Sequence, residues 1–292
     1  MKKLMKLCAV SVVLAMALAF TGCGGNDNGE EASGVTGRMS VITREEGSGT
    51  RGAFVEIVGV TDANGNDNIT MQAQVQSGTG AMMSAVAGNP QAIGYASTGT
   101  LDDRTRALAI DGIEPTVENM LSGAYALQRP FVIGYNTANG LSDLAQDFWN
   151  FIFSAQGQEL IESRGLVPIV ANAPQYTPSG LTGRIVVHGS SSVEDIMSRL
   201  AYAYQGLNPD VVIDVSGPGT GHGITAAREG LADIAMASRD IRPAEAEILT
   251  YATMALDGIA IIVHPSNDIA GLTMEQARNI FLGEINTWEN IR

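Results

Sequence analysis

Three times in this chain a turn rich in serine, threonine and glycine runs straight into an amphipathic helical stretch. The first is Arg44-Glu45-Glu46-Gly47-Ser48-Gly49-Thr50, followed by Phe54, Ile57 and Val58 on one apolar side. The second is Gly189-Ser190-Ser191-Ser192-Val193, followed by Ile196, Met197, Leu200, Ala201 and Tyr204 at helical spacing. The third is Gly217-Pro218-Gly219-Thr220-Gly221-His222-Gly223, leading into Ile224 to Arg228. Between such stretches stand short strand-like runs, Gly183 to His188, Val211 to Val215 and Gly258 to Val263. Strands that alternate with helices through short turns predict an α/β fold.

The turns also constrain chemistry. A helix N-terminus presents unpaired N–H groups and a partial positive charge. Glycine lets the backbone approach an anion closely, and hydroxyls add further donors. Three such ends converging would surround a tetrahedral oxyanion. A single serine ahead of a helix is more often an ordinary N-cap, so the weight lies in the three together. None ends in Gly-Lys-Ser/Thr, which argues against a nucleotide hydrolase. No Gly-x-Ser-x-Gly elbow supports a serine hydrolase. Three scattered histidines, His188, His222 and His264, show no metal-ligand spacing. His188 and His264 read as structural, and His222 as a helix cap rather than a ligand. No catalytic role, metal or cofactor is expected.

The amino-terminal segment reads as a targeting signal rather than as part of the fold. Lys2, Lys3 and Lys6 precede an apolar run from Leu7 to Phe20, and Phe20-Thr21-Gly22-Cys23 resembles a lipobox. The expectation is a lipoprotein signal over residues 1–22, cleaved ahead of a lipidated Cys23. The mature chain would keep no second cysteine, since Cys8 is removed, so no intramolecular disulfide is expected. Losing three lysines and no acid takes the formal charge from −14 to −17. An acidic chain with few aromatics is a poor nucleic-acid binder. Residues 23–37, polar and glycine-rich, read as the lipidated cysteine and a flexible tether.

The surrounding blocks carry a resemblance. TREEGSGTRGAF (43–54), HGSSSVEDIMSRLAYAYQ (188–205), SGPGTGHGITAAREG (216–230), LADIAMASRDI (231–241), MALDGIAIIVHPSN (254–267) and LTMEQARNIFLGEINTWENI (272–291) together resemble the periplasmic-type phosphate-binding proteins of ABC transporters. In that family the blocks from 188 onward come first, and the EGSGTR segment follows the last of them. The sequence therefore resembles a circular permutant of the family, over nearly all of residues 38–292.

The resemblance implies a two-lobed periplasmic-binding-protein-like fold of type II with a ligand cleft between lobes. Carried over, residues 97–266 form one continuous lobe, with a joining linker at about 171–183. Residues 38–96 and 267–292 assemble the other lobe, which makes the chain ends neighbours. The implied function is an extracytoplasmic, lipid-anchored, monomeric protein that binds inorganic phosphate and delivers it to the permease subunits of an ABC importer. Arg44 matches the family's cleft arginine, whose planar fork suits phosphate oxygens. Glu46 matches the acid that braces it, although a plain salt bridge to Glu45 or Glu46 is the competing reading. Ser48, Gly49 and Thr50 match donors of the same loop, Ser192 and the Val193 N–H those of the second, and Thr220 that of the third.

One position departs from the family's best-known pattern. Arg239 stands after Ala237-Ser238, where an aspartate accepts the proton of bound phosphate. Arg239 either makes the site more cationic or faces away to pair with Asp240 or Glu229, and Asp240 or a glutamate of the first loop is the substitute acceptor. This keeps two other readings open: a binding protein for molybdate, tungstate or sulfate, and a lipid-anchored sensor or scaffold.

Overall fold

The computed structural model describes residues 34–291; the signal segment expected over residues 1–22 and Cys23 lie outside them. In chain order, β1 (Ser40–Arg44), α1 (Gly49–Val58), β2 (Gln74–Gln76), α2 (Thr79–Ala87) and β3 (Ala92–Ser97) come first. The short β4 (Arg106–Ala107) and β5 (Ala109–Ile110), then α3 (Val117–Leu121), lead to β6 (Gln128–Asn136). Next are α4 (Asp143–Ile152), α5 (Ala155–Ser163), β7 (Val167–Pro168), β8 (Gly183–Gly189), α6 (Glu194–Leu207), β9 (Val211–Ser216) and α7 (Thr220–Arg228). The chain continues through β10 (Ile234–Ala237), α8 (Pro243–Ala246), β11 (Leu249–Val263), β12 (Gly271–Leu272) and α9 (Met274–Leu282).

Local sequence explains the helix limits. Ser48 caps α1 by accepting a hydrogen bond from the Arg51 N–H, and Gly59 ends the helix in the left-handed region at φ 75°. Thr273 and Gln276 form a reciprocal capping box on α9, which Gly283 ends at φ 84°.

The strands join in the order β2-β1-β3-β11-β6-β10-β8-β9. Each end of this curled sheet is a parallel trio, β2-β1-β3 on one side and β10-β8-β9 on the other. The two strands between them run antiparallel to their neighbours. Residues 249–258 of β11 pair with β6, and residues 259–263 pair with β3, so one strand serves both halves. The strand expected from Gly258 therefore begins nine residues earlier. Its first part, LTYATMALD, lacks a clean apolar alternation because Thr250 and Tyr251 face solvent.

Two apolar cores give the fold its two lobes. One combines residues 39–127 with residues 259–288 from the other end of the chain, and takes in Val167. The second is built from residues 131–255. The cores part at about residues 128 and 256–258. Leu108, Ile110, Met120, Tyr125 and Leu127 turn back onto the first core. Ile110 lies in a two-residue strand and Met120 in a five-residue helix, while Leu108, Tyr125 and Leu127 lie between elements, so the stretch leaves no periodic signal. The chain ends of the described fold are neighbours: Met39 N–H donates to the Asn286 carbonyl at 2.8 Å and Trp288 N–H to that of Gly37 at 3.0 Å.

The segment 171–182 has no regular element, yet it is fastened. Tyr176 and Ser179 hydroxyls donate to Asp147 Oδ2 at 2.6 and 2.8 Å, beside the Tyr204 hydroxyl at 2.7 Å. Among the described residues no helix is long and apolar enough to cross a membrane.

The two chain ends share one aromatic cluster. Phe281 of α9 packs edge-on to Phe54 of α1 at 4.6 Å, and Phe54 stacks on Tyr95 of β3 at 4.1 Å. Phe281→Ala is expected to cost about 3–5 kcal/mol, as a buried aromatic deletion does. Urea unfolding of the variant against the parent checks this.

Candidate functional site

Four helices begin at the carboxyl ends of parallel strands and point their first turns at one crevice. β1 leads to α1, β2 to α2, β8 to α6 and β9 to α7. This is where open parallel sheets place ligands, because the turns leave the strand ends on one side. α1 and α2 belong to the first lobe, α6 and α7 to the second. The Gly78 and Gly219 turns ahead of α2 and α7 have φ of 87° and 125°, conformations closed to most side chains.

Arg44, the last residue of β1, is buried at 2 % exposure. Its Nε and Nη2 donate to the two oxygens of Glu45 at 2.8 and 2.7 Å. Nη1 reaches Thr79 Oγ1 at 3.2 Å, and Nη2 also reaches Ser191 Oγ of the other lobe at 3.0 Å. Its backbone N–H donates to the Tyr95 hydroxyl at 3.2 Å, and that hydroxyl is 2.7 Å from Thr43 Oγ1. Burial pushes the Tyr95 hydroxyl up to about 12, so it stays protonated at neutral pH. Burial opposes the charge on Glu45, but the Arg44 guanidinium and the Gly78 N–H outweigh it and hold the carboxyl below its usual range.

Around this arginine the lobes meet hydroxyl to hydroxyl. Thr50 Oγ1 of α1 lies 2.8 Å from Ser192 Oγ, and Thr79 Oγ1 lies 3.1 and 3.2 Å from Ser192 Oγ and Ser191 Oγ. Ser190 Oγ donates to Ser238 Oγ at 2.8 Å, and the Ser238 N–H donates to Thr220 Oγ1 at 3.3 Å. The Gly221 N–H donates to the Gly47 carbonyl at 3.2 Å, again across the lobes. Gly49 is pressed so closely against the second lobe that a Cβ there would lie 2.3 Å from Thr220 Oγ1 and 2.7 Å from Ser238 Oγ.

The structure brings Arg44, Gly49, Thr50, Ser192 and Thr220 into this cluster. Ser48 sits at its edge as the α1 cap. Val193 contributes a buried side chain, and its N–H closes a turn onto the Ser190 carbonyl at 3.1 Å rather than pointing at the crevice. Glu45, not Glu46, grips Arg44. Arg239 is turned away: both its terminal nitrogens bind Glu245 at 2.7 Å, and one also binds the Asp240 carbonyl at 2.8 Å. It lines a cavity of about 540 Å³ beside α1, with Glu46, Arg51, Arg242 and Glu245, which reaches the edge of the cluster at Ser48 and Gly221. Its lining mixes both charge signs, and the buried donors converge elsewhere. His222 is exposed on α7, and His264 Nδ1 pairs with Ser266 Oγ at 2.7 Å. Among the described residues no cluster could hold a metal ion.

The sequence reading omitted Thr79, Ser190, Ser191 and Ser238. Thr79 had a signal, since Gln76-Ser77-Gly78-Thr79-Gly80 has the same serine-glycine composition ahead of a helix. It was obscured because the turns of α2 that follow bury Met82, Met83 and Val86 and show little amphipathic contrast.

A family model described as a PBP superfamily domain matches residues 26–156 and 174–290. The chain belongs to that superfamily. Phosphate-binding protein PstS 2 of Streptococcus pneumoniae is 40% identical over 100% of this chain and 99% of its own. PstS 2 of Streptococcus agalactiae is 35% identical over 99% and 98%. A crystal structure of a phosphate ABC transporter phosphate-binding protein from S. pneumoniae superposes with TM-score 0.71 and 42% identity, covering 88% of this chain and all of that one. Phosphate-binding protein PstS of Pseudomonas aeruginosa is 30% identical over 40% of this chain and 42% of its own.

Since a Cβ at Gly49 would collide with Thr220 and Ser238, Gly49→Ala is expected to prop the lobes apart. Small-angle scattering should show a larger radius of gyration than the parent, with affinity for a small oxyanion at least tenfold lower by calorimetry.

Proposed function

We propose that this chain binds inorganic phosphate between its lobes, outside the cytoplasm, and delivers it to the permease of an ABC importer. The observation that carries the reading is the meeting of one buried guanidinium, the hydroxyls of Thr50, Thr79, Ser190, Ser191, Ser192, Thr220 and Ser238, and four helix N-termini from both lobes around one crevice. A tetrahedral oxyanion entering there would replace hydroxyl–hydroxyl contacts with charge-assisted ones, which are shorter and stronger. The full-length relatives named as phosphate-binding proteins support the choice of anion. The protein acts by binding and release, with a hinge motion of the lobes and no catalytic step.

The same proposal assigns anion contacts to Arg44, Ser48, Gly49, Thr50, Ser192 and Thr220, and adds Thr79 and Ser191. Glu45, kept ionised beside the guanidinium, is the carboxylate placed to accept a hydrogen bond from the protonated oxygen that phosphate carries near neutral pH. Arg239, committed to Glu245, serves instead to brace the rim of the cleft. An acidic protein repels phosphate at long range, so binding relies on local dipoles and hydroxyls in a water-poor cleft.

We further propose lipid anchoring through Cys23 on the outer membrane face, a monomeric state, and a circularly permuted chain order. The neighbouring chain ends are compatible with the permutation. So is the P. aeruginosa match, since a collinear comparison can register only one of two exchanged blocks, and it covers less than half of either chain.

Calorimetric titration of residues 24–292, unfolded and refolded to strip carried-over ligand, tests the reading. One-to-one phosphate binding with sulfate silent is the expected result. Arg44→Ala should weaken it by about 1.5–3 kcal/mol, the scale of a lost hydrogen bond to a charged group. A folded protein that binds no phosphate would overturn the proposal, and equal affinity for sulfate would replace it with a general oxyanion binder.

A further inference from the structure

A buried ion pair stands where the chain crosses between its lobes, and the anion contacts described above do not include it. Arg129 near the start of β6 faces Asp257 of β11 in register. Their side chains are 1 % and 0 % exposed. Arg129 Nε donates to Asp257 Oδ2 at 2.9 Å, and Nη2 lies 2.9 Å from the same oxygen. The other carboxylate oxygen accepts from Ser97 Oγ at 2.7 Å and Thr98 Oγ1 at 3.1 Å, both at the end of β3 in the first lobe.

The remaining arm of the guanidinium points at the hydroxyl cluster. Arg129 Nη1 donates to the Ser238 carbonyl at 3.0 Å. Ser238 in turn orients two donors of the second lobe, giving its N–H to Thr220 Oγ1 and receiving the Ser190 hydroxyl. One continuous line of contacts therefore runs from Ser97 and Thr98 through Asp257, Arg129 and Ser238 to Thr220 and Ser190. The positive charge of Arg44 is also felt here: after burial itself, which outweighs the attraction of Asp257, it helps to push the Arg129 guanidinium down.

An ion pair this deep is a poor source of net stability, since well-packed apolar residues of similar volume often do as well or better. What it supplies is direction, because a planar fork fixes the carboxylate and the carbonyl at once. We propose that Arg129 and Asp257 are positioning residues of the anion site: from the crossing strands they hold the Ser238 turn, and through it Thr220 and Ser190, in the geometry that receives the anion. This rests on the phosphate reading above.

Two variants test it, with phosphate as the probe. The double variant Arg129→Met/Asp257→Leu removes both charges together and is expected to keep the urea midpoint of the parent. Arg129→Lys keeps the charge on Asp257, but one ammonium cannot reach both the carboxylate and the Ser238 carbonyl. Each should bind phosphate at least tenfold more weakly, mainly through faster release, and amide exchange at Ser238 should speed up without phosphate while global stability holds. If the double variant does not fold, Arg129→Lys decides alone. Binding within twofold of the parent, or an unchanged Ser238 exchange rate, in a folded variant overturns the proposal and leaves the pair a structural one. Failure of the parent itself to bind phosphate would instead sink the functional reading.

Discussion

The burial of the Arg44 guanidinium is the constraint on which the rest depends. Taking such a charge out of water costs several kcal/mol unless partners replace its hydration. Glu45 supplies one side, and Thr79 from its own lobe and Ser191 from the other supply more. Its own lobe gives each nitrogen a partner, and Ser191 of the other lobe adds one more, so the meeting of the lobes is tied to this buried charge.

The sheet makes that linkage possible. Because β11 pairs with β6 over one stretch and with β3 over the next, the lobes share a strand rather than a linker. The pairing changes partner within a few residues near Asp257 and Gly258. A Cβ at Gly258 would come within 2.8 Å of Met120 Sδ and Thr98 Cγ2, so the crossing is packed as tightly as a core.

Chain order matters less than this geometry. The first lobe draws on residues from both ends, joined by the Gly37–Trp288 and Met39–Asn286 hydrogen bonds and by the stack of Phe54, Tyr95 and Phe281. Ends that meet at the surface of one lobe let the same topology be written in more than one order. The Asp147 fastening of Tyr176 and Ser179 shows how an irregular connection is held without secondary structure of its own.

Much of this was legible before any coordinates. The Gly-Ser-Thr turns ahead of α1, α6 and α7 follow from composition and helical spacing, and α/β alternation follows from the runs between them. The resemblance carried by the same blocks indicated two lobes. Sequence could not tell which of two adjacent acids grips Arg44, because that depends on the Gly78 N–H, a partner 33 residues along the chain. It could not aim Arg239, whose direction is set by Glu245 on the following helix. Between residues 97 and 127 the elements are too short to leave a period in the sequence. Local patterning, then, determined the helices, the turns and their chemistry, because those depend on neighbours in sequence. The tertiary structure alone decided which donors meet, since buried polar groups choose partners by proximity in space.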